Sequence, residues 1–327
     1  MTDLVSPVMS PLDASKLDTK GGVVGPIDVH HHFNAPAGRG GQATWTPEKA
    51  VDEMDRAGVA VAIGWPGPVV ADTSAASRDR ARSINDFGAS VVRRHPSRFG
   101  LFASLPPLAD ADGALREIDY AFETLKADGV GLITHYGDAW LGDAAFKPVF
   151  EELNRREAVV FVHPQGHTGN CSCGSQSYQT PGVSAAWFEY PFNTARSILN
   201  LMTTGTLLAF PNIKFIFCHG GGAFTPLLGR IEGFSGWFEM GPDKLAEMFP
   251  EGIQTQYERL HFECAQACAP EYMTMLRSLV PSTQILFGTD YDRFPISHSV
   301  ERFGKLDLPA EVRSAISHGN ARRLLRR

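Results

Sequence analysis

The chain has 327 residues, 43% of them hydrophobic, and a formal net charge of −6. That charge gives no electrostatic reason to bind nucleic acid or an anionic membrane, and no apolar run approaches the roughly 20 residues of a membrane span. The length suits either two ordinary domains or one α/β barrel, which needs about 250 residues plus insertions.

Residues 1–22 mix prolines with Asp3, Asp13, Lys16, Asp18 and Lys20 and contain no apolar core of a signal peptide. They read as a flexible extension, with cytoplasm as the default compartment. From Pro26 short apolar runs alternate with segments of helical period. The run Pro26–Val29 ends at His30. Thr46 then caps a helix with Pro47 at its first position and Gly58 just past its end. Val59–Ile63 is the second strand, followed by a polar helix rich in Arg and Asp. Phe99–Ser104 is the third, and the next helix places Leu115, Ile118, Phe122 and Leu125 on one face. Val130–Thr134 is the fourth strand, and the helix after it buries Phe146, Val149, Phe150 and Leu153.

Ala158–Val162 is the fifth strand. A loop rich in Gly, Ser and Gln follows, then a helix with Ala195, Ile198, Leu199 and Met202 facing inward. Ile213–Cys218, Leu260–Ala265 and Ile285–Gly288 complete eight strands. Eight apolar strands alternating with helices, with no linker between them, predict a single closed parallel (β/α)8 barrel over residues 23–327. An open doubly wound sheet would want a glycine-rich turn after strand one, where this chain has His30-His31-His32. The odd number of cysteines, five, makes a poor disulfide framework, and Cys171 and Cys173 form a Cys-x-Cys without a second pair to make a zinc site.

The polar residues at strand ends carry the chemistry. His30 and His32 lie just beyond strand one, His163 ends strand five, His219 ends strand six and Asp290 ends strand eight. The carboxyl ends of barrel strands converge on one mouth. His30 and His32, at i and i+2 on extended backbone, point to the same side and can grip one cation. With His163 and Asp290 they form a nitrogen-rich set suited to Zn²⁺ and tolerable for Mn²⁺ or Fe²⁺. His31 points away and reads as structural. His261 starts strand seven and belongs to the opposite face. His135 ends strand four and His167 lies in the mouth loop, so both are candidates to touch substrate.

The motifs Asp28-Val-His-His-His32, Phe161-Val-His163-Pro, His219-Gly-Gly-Gly-Ala-Phe, Leu286-Phe-Gly-Thr-Asp290-Tyr and Gly319-Asn-Ala-Arg resemble those of the amidohydrolase-related decarboxylases. Relatives in that family act on 2-amino-3-carboxymuconate-6-semialdehyde and on hydroxybenzoic acids, and Gly137–Asp143 and Phe150–Asn154 look closest to the 6-methylsalicylate branch. The resemblance implies one metal held by His30, His32, His163 and Asp290, with His219 catalytic. It also implies that Arg230 reaches a neighbouring subunit's substrate, and hence a homodimer or dimer of dimers. Strand four ends Thr134-His135, without the bridging lysine of binuclear amidohydrolases. Two departures stand at the mouth: Asp292 in place of a proline, and Glu263-Cys264 in place of an Asp-Thr pair.

The implied activity is non-oxidative decarboxylation of a hydroxylated aromatic or related unsaturated carboxylic acid. The metal serves as Lewis acid, Asp290 as proton donor, His219 as the group that polarises a hydroxyl or water, and Trp187 and Phe188 as stacking surfaces. The alternative is a metal-dependent hydrolase or hydratase of the same superfamily, in which Asp290 acts as base. A non-catalytic metal-binding protein is disfavoured because Asp290 and His219 are both present.

Overall fold

The structure, a computed structural model, describes residues 25–34, 45–69, 75–165, 182–234 and 241–326. Strand and helix alternate from the start: β1 (Ile27–His32), α1 (Pro47–Ala57), β2 (Val61–Trp65), α2 (Ala75–Arg94), β3 (Phe99–Ser104), α3 (Ala111–Asp119) and β4 (Gly129–Ile133). A short hairpin, β5 (His135–Tyr136) with β6 (Ala139–Trp140), precedes α4 (Lys147–Arg155) and β7 (Val159–His163). Then come α5 (Glu189–Thr203), α6 (Thr206–Ala209), β8 (Lys214–Phe217), α7 (Phe224–Phe234), α8 (Gly241–Met248) and α9 (Ile253–Tyr257). The chain continues through β9 (His261–Glu263), α10 (Pro270–Leu279), β10 (Ile285–Leu286), α11 (Ile296–Gly304), α12 (Ala310–Ser314) and α13 (Asn320–Leu325).

Leaving the hairpin aside, eight strands form one sheet in the order β1-β2-β3-β4-β7-β8-β9-β10, every pair parallel. The backbone after β10 returns to β1. Val29 N–H donates to Phe287 O at 3.0 Å, Asp290 N–H to His30 O at 2.8 Å, and His32 N–H to Tyr291 O at 2.6 Å. Those bonds close the barrel and bring Asp290 against the histidines of β1.

Both faces of the strands are apolar, because helices cover the outside and side chains fill the inside. Ile27, Val29, Ile63, Phe102, Phe161, Ile216, Cys218 and Leu286 form the interior cluster. The alternate residues Ala62, Leu101, Val130, Val160, Phe215 and Phe217 belong to the larger layer under the helices. The period of two extends to the mouth on β7, where His163 continues the Val159, Phe161 row.

Local signals place most elements as expected. Thr46 Oγ1 accepts from Lys49 N–H, Pro47 opens α1, and Gly58 closes it at φ +73. On α4 the predicted stripe of Phe146, Val149, Phe150 and Leu153 is buried. β1 differs: it runs through His32, so all three histidines lie on the strand. α3 differs as well: its inward face is Ala114, Glu117, Ile118 and Ala121, and a π-turn at Tyr120–Thr124 follows it. Leu115, Phe122 and Leu125 are half-buried, and so is Leu199 on α5, where Leu201 goes inward instead. Among the described residues, no helix is long and apolar enough to cross a membrane.

Candidate active site

The pairing of β1 with β2 shifts register between Asp28 and His31. The irregularity breaks the strand's period of two. Ile27 and Val29 face the barrel interior, yet the His30 ring also meets interior Phe161 at 5.1 Å. Asp28, fully buried, holds this kink. Its Oδ1 accepts from His30 N–H at 3.0 Å and Thr289 N–H at 2.9 Å; its Oδ2 accepts from Thr289 Oγ1 at 2.6 Å and His31 Nδ1 at 3.0 Å. His31 thus turns away from the pair and packs on Tyr291, ring centroids 4.9 Å apart.

The rings of His30, His32 and His163 lie 5.2 Å apart in each pairing. Two oxygens, one carboxylate and one carbonyl, orient the rings from behind: His30 Nδ1 donates to Glu263 Oε1 at 2.9 Å, and His163 Nδ1 to Pro164 O at 2.6 Å. Their Nε2 atoms are left for the centre. Asp290 Oδ1 lies 2.9 Å from His32 Nε2 and 3.3 Å from His30 Nε2. The donor atoms of His30, His32, His163 and Asp290 all fall within 4.8 Å of one another, as do those of His30, His219 and Glu263.

Glu263 is the residue whose position in this network sequence reasoning missed. It is fully buried, and besides His30 it accepts from His219 N–H and Ala265 N–H, each at 2.6 Å. The available signal was its departure from the family's Asp-Thr pair at the carboxyl end of β9. His219 sits in the left-handed region at φ +55, with its Nε2 at 3.6 Å from Asp290 Oδ2. The glycines behind it allow that turn: a Cβ on Gly222, at φ +61, would meet Pro191 O at 2.4 Å.

Burial lowers the pKa of His163 well below the ordinary value, helped by the neighbouring His32 and His30, and burial likewise lowers His32. For His30 burial also acts downward, but Cys218, Glu263 and Asp290 outweigh it and raise the pKa well above the usual. Burial would raise Asp290; the His30 charge, the nearby His219 and His30 rings and the His32 hydrogen bond hold it well below the carboxylate range instead. A buried cluster with two carboxylates therefore calls for positive charge at its centre. The His30 and His219 Nε2 atoms are buried without hydrogen-bond partners. Orphaned nitrogens, a carboxylate and a deficit of positive charge fit a divalent metal, which would displace the His30 proton.

A cavity of about 1440 Å³ opens from this cluster, with His32, His163, His219 and Asp290 in its floor. Trp187 stands on its wall, 79% exposed, and the arginines of its described lining are Arg80 and Arg293. Phe188, exposed, rests on Phe192 at 4.5 Å. His135 takes another direction: its ring lies 4.9 Å from Trp140 and its Nδ1 3.0 Å from Thr134 Oγ1, outside the described lining. Arg230 is exposed on α7 and is also outside that lining. His261 lies at the opposite end of β9, beside Lys214 and Arg323. His167, Cys171 and Cys173 lie outside the described residues.

Residues 27–327 match the sequence model of the family described as Amidohydrolase. The chain is 35% identical over 293 residues to Decarboxylase yanB of Aspergillus niger, covering 83% of this chain and 78% of that protein. It is 32% identical over 322 residues to 6-methylsalicylic acid decarboxylase of Penicillium expansum, covering 92% and 96%. Its fold is similar to that of dihydroxybenzoic acid decarboxylase from Polaromonas sp. JS666, solved with bound manganese and the inhibitor 2-nitroresorcinol. That match has a TM-score of 0.75 at 22% identity and covers 92% of this chain and 97% of the other.

Proposed function

The chain belongs to the amidohydrolase family, and on that footing we propose that it is a metal-dependent non-oxidative decarboxylase of hydroxylated aromatic carboxylic acids, its residues 23–327 forming one catalytic barrel. The observation that carries this reading is the placement of Asp290. Its carboxylate belongs to the four-residue donor set and also faces the cavity where an aromatic ring would lie. The family relatives that are decarboxylases by name, one of them for 6-methylsalicylic acid, support the reaction class.

A single divalent metal held by His30, His32, His163 and Asp290 would supply Lewis acidity and a template for the substrate's carboxylate and neighbouring hydroxyl. The imidazole-rich set favours Zn²⁺, and the manganese of the Polaromonas enzyme makes Mn²⁺ the competitor. The difficulty of the reaction is the negative charge left on carbon as CO₂ departs. Protonating that carbon first removes it. Asp290 delivers the proton to the ring carbon bearing the carboxylate; the carbon–carbon bond then breaks, its electron pair returns to the ring, and CO₂ leaves. Asp290 is ionised at rest, so the proton it delivers comes from the substrate hydroxyl by way of His219, 3.6 Å from Asp290. Trp187 offers a face for the ring. Arg230, exposed on α7, is the group a second copy would present in a homodimer or dimer of dimers.

The test is CO₂ release and ring absorbance over a panel of 2-hydroxybenzoates that includes 6-methylsalicylate, with Zn²⁺ or Mn²⁺ added. Turnover is expected in the parent protein, with a loss on the order of 10³-fold in Asp290→Asn. Silence across the panel from folded, metal-loaded protein would sink the decarboxylase reading and favour hydrolysis.

A further inference from the structure

Helix α2 carries arginines at 78, 80 and 82. Arg78 and Arg82 are one turn apart, and residues around α3 neutralise both. Arg78 Nη2 donates to Asp110 Oδ1 at 2.7 Å, and Arg82 Nε to Glu117 Oε2 at 3.0 Å. Two residues of helix are about 200° of rotation, so Arg80 projects from nearly the opposite side. That side is the wall of the cavity whose floor is His32, His163, His219 and Asp290.

Arg80 is half-buried, and among the described residues no hydrogen bond or ion pair engages it. A guanidinium offers five donors and cannot shed its charge. Partly removing it from water without an acceptor is unfavourable unless a ligand provides one. The other cation of the described lining, Arg293, already lies 3.7 Å from Asp292. The backbone that carries Arg80 is anchored: Ala81 beside it is fully buried with Val69 and Ile84. That contact ties the first turns of α2 to the loop after β2, whose Pro66 and Pro68 line the same cavity.

We infer that Arg80 is a specificity-determining residue that recruits and orients the carboxylate of an aromatic acid through a paired N–H contact, supplied by the same chain as the catalytic centre. This rests on the decarboxylase reading and names the group that selects an anionic substrate. Arg80 positions the acid and takes no part in the proton transfer, so its loss acts mainly on KM.

The experiment compares Arg80→Gln and Arg80→Lys with the parent protein, metal-loaded. It measures kcat and KM for the best substrate of the panel, and calorimetric binding of benzoate and of phenol as charged and uncharged probes. In Arg80→Gln, KM and the benzoate Kd are expected to rise on the order of 10- to 100-fold, with phenol binding unchanged and kcat within a few-fold. Arg80→Lys is expected to recover part of the loss. Unchanged KM and benzoate affinity in Arg80→Gln, with the parent active, would overturn the assignment alone. Equal weakening of benzoate and phenol would also overturn it, by showing a packing role. A parent protein that neither binds nor converts any aromatic carboxylate would overturn the decarboxylase reading together with it.

Discussion

At Glu263 one buried carboxylate organises two histidines, through the His30 ring and the His219 backbone. An amide at this position keeps the shape but offers a single accepting oxygen for contacts that now use two. Glu263→Gln is therefore expected to weaken metal affinity by about 10- to 100-fold, read by competition with a chromogenic chelator; wild-type affinity in the variant would show that His30 needs no such partner. Gly222 poses a purely steric demand. With φ +61 and the Pro191 carbonyl oxygen 2.4 Å from any added Cβ, Gly222→Ala is expected to cost on the order of 2 kcal/mol of stability or more. Urea unfolding of the variant checks this, and a midpoint equal to the parent's would mean that the turn relaxes freely.

Among the elements, β9 shows how two ends of one strand divide stability from chemistry. Glu263 at its carboxyl end serves the centre, whereas His261 at its start is 9% exposed and lies at the far end of the barrel. Burial pushes the His261 pKa down from 6.5 to about 4. The folded protein keeps this imidazole neutral in a range where the unfolded chain takes up a proton. Its effect on stability is absent above about pH 6.5, grows as pH falls toward 4, and levels off below that. The linkage amounts to about 2 kcal/mol lost by pH 5. His261→Gln is expected to flatten that part of the profile, seen by comparing urea midpoints at pH 7 and pH 5. An identical slope in the variant would exclude His261 as its source. Helix α2 shows a related division: Asn85 and Arg82 bind buried Glu117, Asn85 also bonds the backbone of Ser104, and Arg80 is left to the cavity.

For the whole molecule, the donor set spans 260 positions of sequence and exists only when the barrel is closed. The closing bonds are the same backbone contacts that bring Asp290 to His30 and His32. A metal held by this set would couple its binding to folding, because the unfolded chain holds no such cluster. At a hundredfold excess over Kd the metal contributes about 2.7 kcal/mol. Chelator treatment is expected to lower the melting midpoint by several degrees, with recovery on adding Zn²⁺ or Mn²⁺. A midpoint indifferent to both would contradict the metal centre. Light scattering after size exclusion tests the role given to Arg230: a monomer at assay concentration would rule out a second copy at the site, while leaving Arg80 in place on its own chain.

Sequence by itself was enough for the alternation of eight apolar runs with helices, the caps of α1, the inward stripe of α4 and the set His30, His32, His163 and Asp290. Those features follow from local periodicity, backbone chemistry and the rule that barrel strands end at a common mouth. Tertiary structure decided what depends on partners distant along the chain. The register shift after Asp28 arises from pairing with β2 and from Thr289, 261 residues away. Glu263 stands out in sequence only as a departure at the mouth, and its hold on His30 and His219 comes from the fold that sets them against it. Arg78, Arg80 and Arg82 look equivalent in sequence, and only the arrival of Asp110 and Glu117 on one side of α2 separates the paired arginines from the one facing the cavity. Periodicity tells which side chains share a face; the identity of what meets that face is settled by chain closure.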